Sequence, residues 1–372
     1  PDVFGLSVAS FHRANARRAQ SWPYSLLATS THDSKRSEDV RARINLLSEM
    51  PRQWRAAVTR WHRLNVYAKP RLDGRPEPDR NDEYLLYQTL VGAWPLEDMD
   101  DRAYDQFRER VRAFMLKAAK EAKVNTSWIN PNTAYEQALA EFVGAVLDRS
   151  QSNAFLDEFR QFQEPLANLG MFNALSQALL KLASPGVADI YQGNEVWDFS
   201  LVDPDNRRPV DYKLRRQLLA ELDRRSKGDE AAFAAELLKT REDGRIKLYV
   251  THRCLQCRGD CPELLLSGNY TALRVVGARA GHVCAFARAS STGQTAIAVA
   301  PVLIGGLLRG APEPVGDEVW GATKLAVASR LGSRFRNIFT GETVETEASN
   351  GRAYLPLRRI LATFPVALLV SQ

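Results

Sequence analysis

The alternation of apolar and polar positions divides the chain into a long helical stretch and a later strand-rich one. Residues 25–43 open with a short apolar run, Ser25 to Ala28, which breaks at Thr29-Ser30-Thr31 into His32-Asp33. Lys35, Arg36, Glu38, Asp39, Arg41 and Arg43 follow and start a helix. An apolar strand ending in a polar pair just before a helix is how a barrel strand presents reactive groups at its carboxyl end. The plainer reading is an edge strand followed by a helix whose charges face water. Upstream, residues 1–24 read as irregular, with Phe4, Phe11, His12 and Trp22 as anchors.

Downstream, helical spacing dominates. Ser37 suits an N-cap, with Glu38 and Asp39 in the first turn. Val40, Ile44 and Leu47 form one stripe; Pro51 starts the next helix, and Trp54, Val58 and Trp61 form its stripe. These aromatics read as core. A Pro- and charge-rich loop spans 68–80. Further stripes follow: Tyr104, Phe107, Val111, Phe114 and Ala118; Tyr135, Leu139, Phe142 and Val146; Phe155, Phe159 and Phe162. Residues 34–165 are thus expected to be almost wholly helical. A separate helix carries Leu169, Phe172, Leu175, Leu179 and Leu182 and stops at Ser184-Pro185-Gly186, before a strand over Val187–Tyr191. One amphipathic helix is expected over 212–240 and another from Gly244 to Leu266. From about Tyr270 the period changes to two, with strands over 283–288, 295–300, 336–339 and 361–370.

At 372 residues the chain can bury a large core, and 45% hydrophobic with 25% charged residues is ordinary for a globular protein. No apolar run is long enough to span a membrane and no signal sequence opens the chain. A start at Pro rather than Met reads as a fragment or a processed product. Four cysteines do not make a disulfide framework in a chain of this length, and a reducing cytoplasm fits. Net charge is +6, concentrated at the start, where residues 1–80 hold 15 Lys/Arg against 8 Asp/Glu. No nucleic-acid signature accompanies that excess; interleaved acids and helical spacing point to solvated helix faces.

The stretch Thr31-His32-Asp33-Ser34-Lys35-Arg36-Ser37-Glu38-Asp39-Val40-Arg41-Ala42-Arg43 resembles the region after barrel strand seven in the maltooligosyl trehalose synthases. These belong to the α-amylase clan, glycoside hydrolase family 13. The clan's usual triplet is Asn-His-Asp, and Thr31 in first place resembles this subgroup. Ahead of it, Ser10-Phe11-His12-Arg13-Ala14-Asn15 resembles the family's approach to strand seven, and further matches follow in the same order: Asn81 to Leu90 closing at Gly92-Ala93-Trp94-Pro95; Lys123, Thr126, Ser127 and Trp128; Val187 to Tyr191 with Gln192-Gly193-Asn194-Glu195; and Ser200 to Asp211.

The resemblance implies the C-terminal part of a (β/α)8 barrel, strands seven and eight, with a large helical insertion and then an antiparallel β-sandwich domain. The boundaries expected are 1–33 for the strand-seven region, 34–165 for the insertion, 166–266 for strand eight and its helices, and 267–372 for the β domain. It implies an enzyme that converts the reducing-end α-1,4 linkage of a maltooligosaccharide to an α,α-1,1 trehalose linkage, in trehalose biosynthesis. Retaining chemistry needs a carboxylate nucleophile and a carboxylic acid about 5–5.5 Å apart. A third carboxylate can bind the sugar's 2- and 3-hydroxyls, and the resemblance assigns Asp33 that role, with His32 donating to the same hydroxyls. Chemistry alone does not separate this from a helix-capping Asp.

The other two carboxylates are expected in barrel strands that this chain does not contain. Glu83, Glu195, Asp203 and Asp205 are weak substitutes, so the isolated chain is expected to be inactive. Lys35 and Arg36 either bond to the acceptor glucose or pair with Glu38 and Asp39. Asp203, Asn206 and Arg207, with Tyr191, Gln192 and Glu195, are implied to line the same mouth. No metal or organic cofactor is implied. Zinc at His252, Cys254, Cys257 and Cys261 fits poorly, because all four fall in one helical stretch; free thiols fit better. The partners implied are the glucan, the N-terminal part of the same enzyme and a maltooligosyl trehalose trehalohydrolase. An α-glucan hydrolase of the same clan and a non-catalytic carbohydrate-binding fragment are the alternatives.

Overall fold

The computed structural model describes residues 5–349 and 351–372; Phe4 lies outside them. The first element corrects the sequence expectation. Residues 8–21 are not irregular but form α1 (Val8–Ser21), capped by the Ser7 hydroxyl, which accepts from Ser10 N at 3.1 Å. Its buried position is polar, Asn15, which hides the stripe. Phe11 packs on Phe286 and the His12 ring bonds the Tyr270 hydroxyl at 2.6 Å. Trp22 is exposed rather than an anchor.

The strand expected over 25–28 contracts to β1 (Leu26–Leu27). Next come α2 (Glu38–Asn45), α3 (Pro51–Asn65), the small hairpin β2 (Arg71–Leu72) and β3 (Arg75–Pro76), α4 (Arg80–Ala93), α5 (Asp101–Ala122) and α6 (Thr133–Val146). Then α7 (Ala154–Ala183) runs unbroken through Pro165, where two separate helices were expected. An interior proline costs about 3 kcal/mol; burial of Leu166, Met171, Phe172 and Leu175 along the same helix offsets it.

The second predicted strand also contracts, to β4 (Val187–Ala188), which pairs parallel with β1. Gly186, with φ +131°, precedes it; a Cβ there would meet the Ser25 carbonyl oxygen at 2.8 Å. Two strands alone form few ladder bonds, so the regular geometry ends after two residues even though Asp189 N still donates to the Leu27 carbonyl at 3.0 Å.

The helix expected over 212–240 is two, α8 (Tyr212–Arg225) and α9 (Glu230–Lys239), because Asp229 caps a new start by accepting from Ala232 N. Then α10 (Arg245–Asp260) is followed by a wider helical turn over Glu263–Ser267. The strands after it are β5 (Asn269–Ala272), β6 (Val275–Val276), β7 (Val283–Ala289), β8 (Thr295–Pro301), β9 (Lys324–Val327), β10 (Arg334–Asn337), β11 (Thr343–Glu345), β12 (Glu347–Ser349), β13 (Arg352–Pro356) and β14 (Ala367–Ser371).

They build a six-stranded sheet in the order β11-β10-β14-β8-β7-β5 and a four-stranded sheet in the order β12-β13-β9-β6. Nearly every residue of β7 and β8 is buried, so both faces of that pair are covered. Strand β10 stops at Asn337, earlier than expected, because Gly341 N donates to the Asn337 carbonyl and turns the chain. The last strand, expected over 361–370, starts only at Ala367; residues 357–360 are a helical turn and 361–366 a turn and bends.

The residues cluster into two units. One comprises the described part of Pro1–Thr31 with Met171–Trp197 and Pro209–Gln372; it holds both sheets. The other, His32–Gly170 with Asp198–Arg208, is helical. In the helical unit Trp61 is the hub: its ring centroid lies 5.3–5.6 Å from those of Tyr87, Phe155, Phe159 and Phe162. Among the described residues, no helix is long and apolar enough to cross a membrane.

Candidate functional site

In the helical unit the segment ahead of α2 is built by its own hydrogen bonds. Ser37 N donates to the Ser200 carbonyl at 2.9 Å and the Ser37 hydroxyl bonds the Asp198 carbonyl. Asp39 accepts from Asp198 N at 2.8 Å. The loop 198–205 is thereby bound to the start of α2. Arg36 forms a bridge with Leu201 inside the same arrangement.

The charged run is solvated only at Lys35 and Arg41, which corrects the plainer sequence reading. Glu38, Asp39 and Arg43 are buried. The Arg43 guanidinium lies 3.7 Å over the Phe199 ring and donates to the Gly92 and Trp94 carbonyls. Burial lowers its pKa to about 9 against the opposing charge of Asp39.

His32 and Asp33 precede this arrangement in the chain. The His32 Nε2 to Asp33 Oδ2 distance is 3.2 Å, and both side chains are more than half exposed. The Asn206 amide donates to the His32 carbonyl at 2.9 Å, so a buried residue of the second loop holds the backbone of the first. An imidazole beside a carboxylate on a fixed backbone suits two neighbouring hydroxyls of one sugar ring.

Lys35 and Arg36 do not take the helix-pairing alternative. Lys35 Nζ reaches Glu121 at 2.6 Å, and Arg36 donates to Thr89 Oγ1 at 3.0 Å with its guanidinium 5.4 Å from the Phe114 ring centre. Burial holds the Arg36 pKa below its ordinary value. Asp203 pairs with Arg207 at 2.9 Å, and its carbonyl accepts from Lys117 at 2.6 Å.

The residue that sequence reasoning undervalued is Asp205. It accepts two bonds from Arg110, at 2.7 and 2.9 Å, and one from Leu201 N at 2.7 Å. Burial pushes its carboxyl up, but Arg110, Leu201 N and Arg208 together outweigh burial and hold it below the usual value. Its partner lies 95 positions away, so no local spacing signals the pair.

In the sheet-bearing unit, Tyr191, Gln192 and Glu195 lie in the turn after β4. Tyr191 accepts from Asn194 N, and Glu195 pairs with Arg215 at 2.8 Å while Arg215 also donates to the Gly193 carbonyl. Gly193 sits at φ +93°, which the turn requires. Glu83, in the helical unit, is buried. Burial raises its carboxyl, yet Lys69, Tyr87 and His62 bond it and bring it below the ordinary value. A general acid needs the opposite shift.

His252 is bound to Asp223 at 2.7 Å. Cys254, Cys257 and Cys261 carry free thiols; burial raises the first two, Cys257 to about 11, so they stay neutral. Among the described residues, no group of three or more His, Cys, Asp or Glu is placed to hold a metal ion.

No protein-family model matches the chain. A Mycobacterium tuberculosis protein named "Putative maltooligosyl trehalose synthase" is 36% identical over 288 residues, which is 77% of this chain and 33% of that protein. The structure of maltooligosyltrehalose synthase from Arthrobacter ramosus superposes with a TM-score of 0.78 at 35% identity, covering 99% of this chain and 41% of that one. A crystal structure titled maltooligosyl trehalose synthase matches at TM-score 0.73 and 30% identity, covering 99% of this chain and 42% of that one. The chain thus spans about a third of the length of the curated relatives it matches. Sequence and fold agree over most of its length, and the chain is a homologue of the maltooligosyl trehalose synthases.

Proposed function

We propose that the chain is the C-terminal portion of an enzyme that turns the reducing-end α-1,4 linkage of a maltooligosaccharide into an α,α-1,1 linkage. In this reading β1 and β4 are barrel strands seven and eight, residues 34–165 are a helical insertion, residues 166–266 carry strand eight and its helices, and 267–372 form a β-sandwich. Asp33 binds the 2- and 3-hydroxyls of the sugar at the cleaved bond, and His32 donates to them. Asn206 fixes the His32 backbone. Lys35, Arg36, Asp203 and Arg207, all in the helical unit, line the sugar path; Tyr191, Gln192 and Glu195, in the sheet-bearing unit, are proposed sugar contacts on the family likeness alone. The observation that carries the proposal is the exposed His32–Asp33 pair on a backbone anchored by the buried Asn206.

Nucleophile and general acid come from the rest of the parent protein. Retention at the donor carbon follows from two displacements through a glycosyl-enzyme. The released glucose stays bound, turns, and attacks through its anomeric hydroxyl; exclusion of water separates this from hydrolysis. The product is a substrate for a hydrolase that frees trehalose. Four free thiols fit a reducing, cytoplasmic setting.

The carboxylates on hand favour a second reading for the isolated chain, that of a glucan-binding piece without turnover. Glu195 and Asp203 are tied to arginines, and Glu83 is held ionised. The test is activity on maltopentaose for this chain and for the full-length gene product. A non-reducing product from the longer protein alone, lost on Asp33→Asn by about a thousandfold or more, is the expected result. Turnover by the 372-residue chain itself, or reducing sugar as the main product, overturns it.

A further inference from the structure

Within the helical unit, α3 and α4 border a cavity of about 480 Å³, with His62 and Arg63 on one wall and Arg80, Asn81, Tyr84 and Tyr87 on the other. Positions 59, 62 and 63 of α3 and 80, 84 and 87 of α4 recur at helical spacing, so one face of each helix meets the cavity. Its inner charges are closed on one another. Glu83 is buried, and its oxygens take the Lys69 ammonium at 2.9 Å, the Tyr87 hydroxyl at 2.8 Å and His62 Nδ1 at 2.9 and 3.0 Å. An ionised carboxylate only accepts, so Nδ1 carries a hydrogen and the imidazole is fixed with Nε2 turned away from Glu83. There the Arg80 Nη2 stands 3.4 Å from Nε2.

The outer charges are open. Among the described residues, neither Arg63 nor Arg80 pairs with a carboxylate. The acids next to Arg80 in sequence are engaged elsewhere: Asp79 accepts from Asp82 N and from Asn125, and Asp82 accepts from the Tyr135 hydroxyl. The arginines of the cavity beside Trp94 differ, since Arg149 meets Asp101 and Arg160 meets Asp98. With Glu83 neutralised by Lys69, Arg63 and Arg80 leave the α3–α4 cavity two positive charges in excess. A dianion matches that excess, whereas a carboxylate leaves one charge unmatched. A planar guanidinium fork also bonds two oxygens of a phosphate at once. The imidazole suits the same ligand in either state, because Nε2 can donate to a phosphate oxygen or accept from a phosphate hydroxyl. The volume falls in the range of small-molecule sites. Tyr84 is 39% exposed, and its hydroxyl is fixed by Trp54 Nε1 at 2.8 Å, so a steady ring faces any organic body that the phosphate carries.

We propose that this cavity binds a phosphate group, free or carried by a small organic molecule, with Arg63 and Arg80 on its oxygens and His62 Nε2 at a further one. The site is independent of the glucan-acting reading above.

The test is calorimetric titration of this chain, at fixed ionic strength, with inorganic phosphate and with glucose 6-phosphate, for wild type, Arg80→Ala, Arg63→Ala and Arg60→Ala. Acetate and glucose are the ligand controls. Arg60 lies on α3 outside the cavity and pairs with Glu158 at 2.6 Å, so its loss changes the net charge equally. Wild type is expected to bind both phosphates and neither control. Arg80→Ala and Arg63→Ala should each weaken phosphate binding about tenfold, and Arg60→Ala by less than about twofold, at unchanged melting temperatures. Tighter binding of glucose 6-phosphate names a phosphomonoester as the source of the group, and equal affinity names free phosphate. No binding of either at about 10 mM, or a loss in Arg60→Ala as large as in Arg80→Ala, overturns the proposal and leaves the glucan reading untouched.

Discussion

Helix α2 in the helical unit and the strand pair β7–β8 in the sheet-bearing unit both bury most of their residues, yet the strands bury one charge and the shorter helix three. The strands bury mostly Val, Ile, Phe and Ala, whose transfer from water is favourable in itself, and their single charge, Arg288, is met by the Gly268, Leu266 and Ala183 carbonyls. Helix α2 buries Glu38, Asp39 and Arg43, whose transfer is costly unless every charge finds partners. Arg43 finds two carbonyls and an aromatic face, and Asp39 the Asp198 amide. Away from Arg288, a strand core of this kind tolerates apolar side chains of similar volume. The charged helix works only when its distant partners are in place, and it therefore ties the candidate site's geometry to the whole helical unit.

That contrast can be broken from either side. The largest effect is expected from Phe286→Ala, which opens a cavity beside Phe11 and Tyr270; about 3–5 kcal/mol should be lost in urea unfolding. Phe286→Leu should recover much of it, since volume is what the strand pair requires. Arg43→Ala should cost about 3 kcal/mol, as removal of one member of a buried charged network does. Unlike Phe286→Ala, it should also weaken binding at Asp33, because α2 and the 198–206 loop are joined. A melting temperature unchanged by Arg43→Ala would refute the claim that this charge is structural.

A smaller effect concerns acid. Asp205 is held below its ordinary carboxylate value, so the folded state binds fewer protons there than the unfolded chain. Its contribution is complete above the unfolded value of about 3.9 and is lost as pH falls through the lowered folded value. Asp205→Asn should flatten the stability profile in that acid window and cost about 1–3 kcal/mol at neutral pH. Unfolding midpoints followed from pH 2 to 7 check both. The smallest effect is expected at the Lys35–Glu121 pair, which is largely exposed. Lys35→Ala should change stability by less than about 1 kcal/mol, and added salt should shrink even that. A larger, salt-insensitive loss would move Lys35 into the same class as Arg43.

What could be read beforehand follows the same division. Trp54 and Trp61 stand at helical spacing among apolar neighbours, and they are core. Helix α1 was hidden because its inward positions include His12 and Asn15, which look like loop residues until Tyr270 and Phe286 are beside them. The continuity of α7 was hidden because Pro165 is a local stop signal overruled by burial on either side of it. The strands at β1 and β4 were placed correctly but drawn too long, since regular strand geometry lasts only where neighbours supply ladder bonds.

By itself, the sequence determined the helical stretch, the change to strand period near Tyr270, the family likeness, and His32–Asp33 as the groups to examine. These are properties of single elements or short motifs, and periodicity records them directly. Only the tertiary structure decided that Arg43 is buried, that Arg110 holds Asp205, that Lys35 meets Glu121 rather than Glu38, and that Asn206 anchors the His32 backbone. Those partners lie from 49 to 174 positions apart. Charge carries no period that points to a distant partner, so the choice among many possible pairs is made by the packing that brings two elements together.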